Sequence, residues 1–213
     1  MKLRLAAVIA IVMLSACRHA GDITDQNGGG VYAVRSDCPI AGIPTGTGDV
    51  TLFDPADSRL ASAIDVTAAI SQLRANCQDT TDEVISTVTF TVTGLRRDAG
   101  PARHVVLPYF EVALRGGSNI EAKQVGAVAL DFPAGSLHAI TRAQATIRVN
   151  RAAATLSPQV RAILTRPRKA GQTDAAVDPM SEPAVARAVA DSTFEHLIGF
   201  QINQDQLKYN ATR

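Results

Sequence analysis

A strict alternation runs through residues 84–93. Val84, Ser86, Val88, Phe90 and Val92 occupy one parity, and Thr87, Thr89, Thr91 and Thr93 the other. Side chains along a strand point alternately to opposite faces, so this period commits the segment to a pleated surface with one apolar side. The β-branched residues on both parities suit that surface.

The same rhythm recurs down the chain. Arg103 to Leu114 reads as a strand, and the Asp98-Ala99-Gly100-Pro101 turn before it predicts an antiparallel hairpin with residues 84–93. Val106, Phe110, Val112 and Leu114 are expected toward the core, with Leu107 and Tyr109 on the other side. A strand apolar on both faces is either central and covered or part of an interface, which makes Leu107 and Tyr109 candidate interaction residues. Gly116-Gly117-Ser118-Asn119 is the next turn. Ile120 to Phe132 follows as a strand with Val128, Leu130 and Phe132 inward and a bulge expected at Gly126. Ala145, Ile147 and Val149 alternate with Gln144, Thr146 and Arg148, and Phe194, His196, Ile198, Phe200 and Ile202 alternate with polar or small partners. Ile64, Val66, Ala68 and Ile70 fit an earlier strand, although Leu60 to Leu73 also tolerates a helix. Short strands punctuated by turns predict a mainly β fold, an antiparallel β-sandwich of immunoglobulin-like or similar kind.

Residues 151–192 break the rhythm and read as a partly helical insertion between two strands. Ser157-Pro158 and Ser181-Glu182-Pro183 each set a capping hydroxyl before an early-turn proline. Arg166 to Pro179 between them is polar and turn-rich. A short C-terminal helix is expected over Asn203 to Asn210, capped by Asn203 with Gln206 at the reciprocal position. Tryptophan is absent and aromatic residues make up 4% of the chain, so the core must rest on aliphatic side chains and an aromatic glycan platform loses weight.

The N-terminus carries a different signal. Lys2 and Arg4 precede an apolar run from Leu5 to Leu14, which is shorter than the roughly 20 residues a membrane span needs. Leu14-Ser15-Ala16-Cys17 then reads as a lipobox, in which Cys17 is cleaved to the N-terminus and lipidated. The alternative is a secreted protein with a cysteine near its cleavage point. Two acyl chains hold a protein stably at a membrane, whereas one gives marginal binding. On this reading residues 1–16 are a signal peptide, 17–30 a polar, glycine-rich tether, and 31–213 a single β-sandwich domain with the insertion near 151–192. The residue after Cys17 is Arg18 rather than the aspartate that marks inner-membrane retention in lipoproteins, so the outer membrane, facing the periplasm, is expected.

Export changes how the other cysteines read. With Cys17 spent on lipid, Cys38 and Cys77 are an even pair in an oxidising compartment, where a stapling disulfide is the usual outcome. A redox pair lacks the Cys-x-x-Cys spacing, and two free buried thiols are the third option. Without Lys2 and Arg4, 19 basic residues face 20 acidic ones, a balance with no electrostatic footprint for nucleic acid.

Several of these pieces occur in a fixed order: the lipobox, Cys38-Pro39, Cys77, Leu107-Pro108-Tyr109-Phe110, then Gly199-Phe200-Gln201-Ile202 and Leu207-Lys208-Tyr209-Asn210. In this the chain resembles a group of uncharacterised proteobacterial lipoproteins, over most of residues 38–210 outside the insertion. The resemblance implies export and lipidation, and carries no activity or functional residues with it.

No motif for catalysis or cofactor binding stands out. His19, His104, His138 and His196 have no metal-ligand spacing, and each reads as a surface or partly buried histidine. There is no Gly-x-Ser-x-Gly elbow. The Gly42 to Asp49 loop lacks a P-loop ending, and Asp54, Asp57 and Asp65 do not fit a calcium loop. Arg161, Arg166, Arg168 and Lys169 form one basic cluster, either a solvated loop face or a contact for lipid phosphates or an acidic partner. The expectation is a membrane-anchored, non-enzymatic accessory, assembly or interaction module for another envelope protein, with no cofactor. A binding protein for a lipid, metal or peptide is the alternative, and an enzyme the third.

Overall fold

Two four-stranded sheets account for most of the described chain. The computed structural model describes residues 37–166 and 177–212. Its strands are β1 (Ile40–Gly42), β2 (Asp49–Phe53), β3 (Ile64–Asp79), β4 (Glu83–Arg96), β5 (Arg103–Arg115), β6 (Asn119–Phe132), β7 (His138–Asn150) and β8 (Phe194–Phe200). One sheet has the order β1-β8-β5-β6 and the other β2-β3-β4-β7. All pairings are antiparallel except β1 with β8, which is parallel. The fold is a β-sandwich, as the alternation predicts. The sandwich lies in one compact unit, which takes in the described residues 37–156 and 187–212, and the described residues 157–166 and 177–186 belong to a second.

β4 behaves as its sequence dictates. Val84, Ser86, Val88, Phe90 and Val92 are all buried, and the threonine parity faces outward. Val128, Leu130, Phe132, Ala145, Ile147, Val149, Phe194, Ile198 and Phe200 are buried in the same way. Fully burying one such aliphatic or phenyl side chain is worth roughly 1.5–3 kcal/mol, so these sets supply the main driving force for the sandwich. Residues 64–79 form one long strand, which removes the helical option for Leu60 to Leu73.

The expected β4–β5 hairpin does not form. β4 pairs with β3 and β7, while β5 pairs with β6 and β8 in the opposite sheet. Arg96, only 4% exposed, organises the crossing. Its guanidinium donates to the carbonyls of Gly100, Pro101, Pro133 and Ser136 at 2.7–3.0 Å and lies over the Phe132 ring. One side chain thereby holds both the 97–102 and the 133–137 connections over the end of the sandwich. β5 instead forms a hairpin with β6, where Gly116 (φ +61°) and Gly117 (φ +75°) take the left-handed conformation that the turn requires.

The inward face of β5 is also the reverse of the expectation. Val105, Leu107 and Tyr109 enter the main core, whereas Val106 is exposed and Phe110 is half-buried on the outer face. Leu107 and Tyr109 are therefore core residues and not surface contacts. Glu111 shares this inner parity with Leu107 and Tyr109, and its side chain keeps 12% of its surface exposed. Val112 is buried although it lies on the outer parity.

Gly126 does not mark a bulge; the register shift lies at Ala113/Leu114. Gly126 sits opposite Tyr109, whose ring fills the space a Cβ would need, with Cζ 2.7 Å from that position. Tyr109 in turn meets Phe90 edge-on, ring centroids 5.3 Å apart.

Between β7 and β8 lie α1 (Arg151–Ala154), α2 (Pro158–Leu164), a 3-10 turn (Pro179–Ser181) and α3 (Pro183–Asp191). Ser157 caps α2 as predicted, accepting from the Val160 N–H at 3.3 Å. Ser181 does not cap α3: its hydroxyl donates to the Asp178 carbonyl, and the Asp178 carboxylate takes the Met180 N–H. The C-terminal helix α4 (Gln204–Thr212) starts with the expected reciprocal box. The Gln206 N–H donates to Asn203 Oδ1 at 2.8 Å, and the Asn203 N–H donates to Gln206 Oε1 at 3.0 Å. Asn210 fastens α4 to the sandwich by donating to the Gly46 and Asp49 carbonyls, and Tyr209 packs edge-on against Phe53.

Candidate functional site

A polar layer crosses the interior of the sandwich. On β4, Ser86 lies between Val84 and Val88; on β8, His196 lies between Phe194 and Ile198; on β5, Glu111 lies between Tyr109 and Ala113. Each polar residue occupies an inward position, so the three meet at one level. On one side is the main apolar cluster, with Val88, Tyr109, Ala145 and Ile198; on the other is a smaller one, with Val84, Ala113, Ile147 and Phe194.

Ser86 and His196 have no exposed surface. The Ser86 hydroxyl is 3.1 Å from His196 Nδ1, and Glu111 Oε2 is 3.6 Å from His196 Nε2. That second separation is too long for a hydrogen bond. Burial pushes the imidazole down from its ordinary value to about 4, so the ring is neutral at physiological pH. Burial also raises the Glu111 carboxyl, an effect partly offset by a hydrogen bond from the Thr146 backbone. Tyr109 donates to the Gln144 carbonyl at 3.3 Å, and its phenol is raised by burial and then by the nearby Glu111 charge.

Two proton arrangements satisfy this geometry. Ser86 can donate to Nδ1 while Nε2–H faces an ionised Glu111, or Nδ1–H can donate to Ser86 while a protonated Glu111 faces Nε2. Both keep the ring neutral. Serine, histidine and glutamate are the residue types of a nucleophilic triad, but a substrate carbonyl has no path to a hydroxyl with zero exposure. The layer is a polar tie between the sheets. His196 is thus fully buried, against the expectation of a surface or partly buried residue. The sequence did hold a signal for the cluster: one polar residue interrupts the inward parity of each of three strands.

The other histidines do different things. His104 Nδ1 lies 2.6 Å from Asp131 on the surface, and His138 is exposed. Asp65 is engaged by both terminal nitrogens of Arg103, at 2.6 and 2.7 Å, and that bond lowers its carboxyl below the ordinary value. Among the described residues, no group of histidine, cysteine, aspartate and glutamate side chains is placed to hold a metal.

Cys38 and Cys77 are joined in a disulfide, with Cα atoms 5.9 Å apart. Cys17 lies outside the described residues, as do Arg168 and Lys169 of the basic cluster. Arg161 lies in α2 and Arg166 two residues beyond its end. No family model, curated protein or solved structure matches this chain.

Proposed function

We propose that this chain is an exported lipoprotein, anchored through Cys17 to the outer membrane and facing the periplasm, in the group of proteobacterial lipoproteins that its motifs resemble. The observation that carries the proposal is the Cys38–Cys77 disulfide. It uses both cysteines of the domain, fits an oxidising compartment, and leaves Cys17 as the one remaining thiol, at the end of a lipobox. The motif pieces shared with that group have structural tasks here. The Phe200 N–H donates to the Thr47 carbonyl, the Gln201 N–H to the Pro108 carbonyl, and Tyr209 and Asn210 fasten α4.

The sandwich serves as a non-enzymatic accessory or interaction module for another envelope protein. Its Ser86–His196 pair has no exposed surface and supports the fold. On β5 and β6, Val106, Ile120 and Val125 are each more than half exposed and available to a partner.

Growth of a bacterial host on labelled palmitate tests the anchor. Label is expected in the wild-type protein and absent from Cys17→Ser; equal labelling of the two would overturn it. Crosslinking in intact envelopes tests the module. A discrete crosslinked protein, diminished by Val106→Asp with Val125→Asp, is expected; a wild-type protein that yields no crosslinked species would remove the reading.

A further inference from the structure

The outer face of the second sheet carries a groove of about 540 Å³ across β3, β4 and β7, and its shape originates in a bulge. Ser71 pairs with Thr91 and Arg74 with Thr89, so β3 sets Gln72 and Leu73 against the single residue Phe90. One extra residue reverses the parity of everything after it. Val66, Ala68 and Ile70 point inward before the bulge, and the same even parity would send Arg74 into the core. The bulge turns Arg74 onto the outer face instead. Gln72 bears the cost, at φ +55°, a left-handed conformation that is uncommon for a residue other than glycine. The Thr91 hydroxyl holds it there, donating to Gln72 Oε1 at 3.1 Å.

Six polar side chains line this groove. Arg74, Thr89 and Gln144 form one row across the sheet; Thr91 and Arg142 are paired in the next, where Ser71 holds the β3 register position and Gln72 joins through its bond to Thr91. The two arginines stand at opposite corners and the two glutamines at the others, with the threonine hydroxyls between. Neighbouring strands are about 4.8 Å apart, so two strands separate the arginine backbones by roughly 10 Å laterally, within the combined reach of their side chains. Both arginines are exposed, and among the described residues neither has an acidic partner and no acidic side chain lines the groove. With its Oε1 taken by Thr91, Gln72 presents its amide N–H groups as further donors.

We propose that this groove binds a phosphate-bearing ligand. A planar carboxylate is satisfied by one guanidinium fork. Two forks at opposite corners, with amide donors and the Thr89 hydroxyl between them, suit a tetrahedral group that offers acceptor oxygens in several directions. The phosphate can belong to a lipid headgroup or to a small soluble compound, and the groove chemistry is shared by both.

Titration calorimetry of the full chain in detergent, at low ionic strength, tests this. The probes are inorganic phosphate, a short-chain phosphatidylglycerol below its micellar concentration, and succinate. Binding of at least one phosphate compound is expected, weakened at least tenfold by Arg74→Gln and by Arg142→Gln and unchanged by Arg161→Gln outside the groove. Tighter binding of the lipid identifies a headgroup site, and tighter binding of inorganic phosphate a soluble ligand. Unchanged melting temperatures in the variants separate lost binding from lost folding. The proposal fails if neither phosphate compound binds, if succinate binds as tightly, or if both groove variants bind like the wild type.

Discussion

Ser86 Oγ and His196 Nδ1, 110 residues apart in sequence, meet at 3.1 Å in the centre of the sandwich and link β4 of one sheet to β8 of the other. Neither atom can reach water, so each is the other's replacement for solvent. Removing one partner leaves a buried polar group unsatisfied, which costs about 1–3 kcal/mol.

A double-mutant cycle measures this tie. Ser86→Ala is expected to destabilise by about 1–3 kcal/mol in urea unfolding. Combined with His196→Phe, it should cost less than the two single changes together, because the orphaned nitrogen is gone. Strict additivity would show that the two side chains do not interact.

Acid stability follows from the same histidine. Its folded value, about 4, lies below the ordinary 6.5, so between these limits the unfolded chain binds a proton that the folded chain does not. The stabilisation is therefore present above pH 6.5 and is lost as the pH falls toward 4, on the order of 3 kcal/mol in all. Glu111 acts in the opposite sense: its raised carboxyl contributes stability at low pH that is lost as the pH rises. Thermal midpoints of the wild type should fall from pH 6.5 to 4. They should fall less in His196→Asn and more steeply in Glu111→Gln, where the histidine is unopposed.

Gly126 and Tyr109 make a steric pair. A methyl group at residue 126 would meet the Tyr109 ring at 2.7–2.8 Å. Gly126→Ala should destabilise by about 1–3 kcal/mol through overpacking. Tyr109→Phe should not rescue it, because the ring carbons Cζ and Cε1 remain, whereas Tyr109→Leu should recover part of the loss. Denaturant midpoints of the three variants distinguish these outcomes.

Arg96 is a buried cation satisfied by four carbonyl oxygens. Lysine keeps the charge but cannot present a planar fork to all four. Arg96→Lys is expected to cost about 2–4 kcal/mol, in the range of other losses of a buried hydrogen-bond network. Amide hydrogen exchange should quicken in residues 97–102 and 133–137 together; loosening of one connection alone would contradict a shared anchor.

The disulfide closes a loop with a sequence separation of 39. The chain-entropy model assigns such a loop about 4 kcal/mol. Replacing both Cys38 and Cys77 by serine should lower stability by up to that amount, read from the urea midpoint at an unchanged slope.

Much of the fold was legible because β4, β6, β7 and β8 each alternate cleanly, and because Ser157, Asn203 and Gln206 act on neighbours a few residues away. Glu111 and His196 are polar groups that water ordinarily solvates, and their inner positions depend on partners from other strands, so neither the face of β5 nor the interior polar layer was legible within one segment. The Asp98–Pro101 turn looked like a hairpin because turn residues do not encode which sheet the next strand joins; Arg96 settles that through carbonyls up to 40 residues away. The Gln72 bulge left no mark at all, since glutamine rarely adopts a positive φ.

Local chemistry therefore determined the apolar faces of β4, β6, β7 and β8 and the caps at Ser157 and Asn203, because each depends on spacing within one segment. Tertiary structure decided the sheet order, the burial of the Ser86–His196–Glu111 layer and the outward turn of Arg74. Those depend on partners from distant strands, whose combined packing outweighs the preference of any one residue for water.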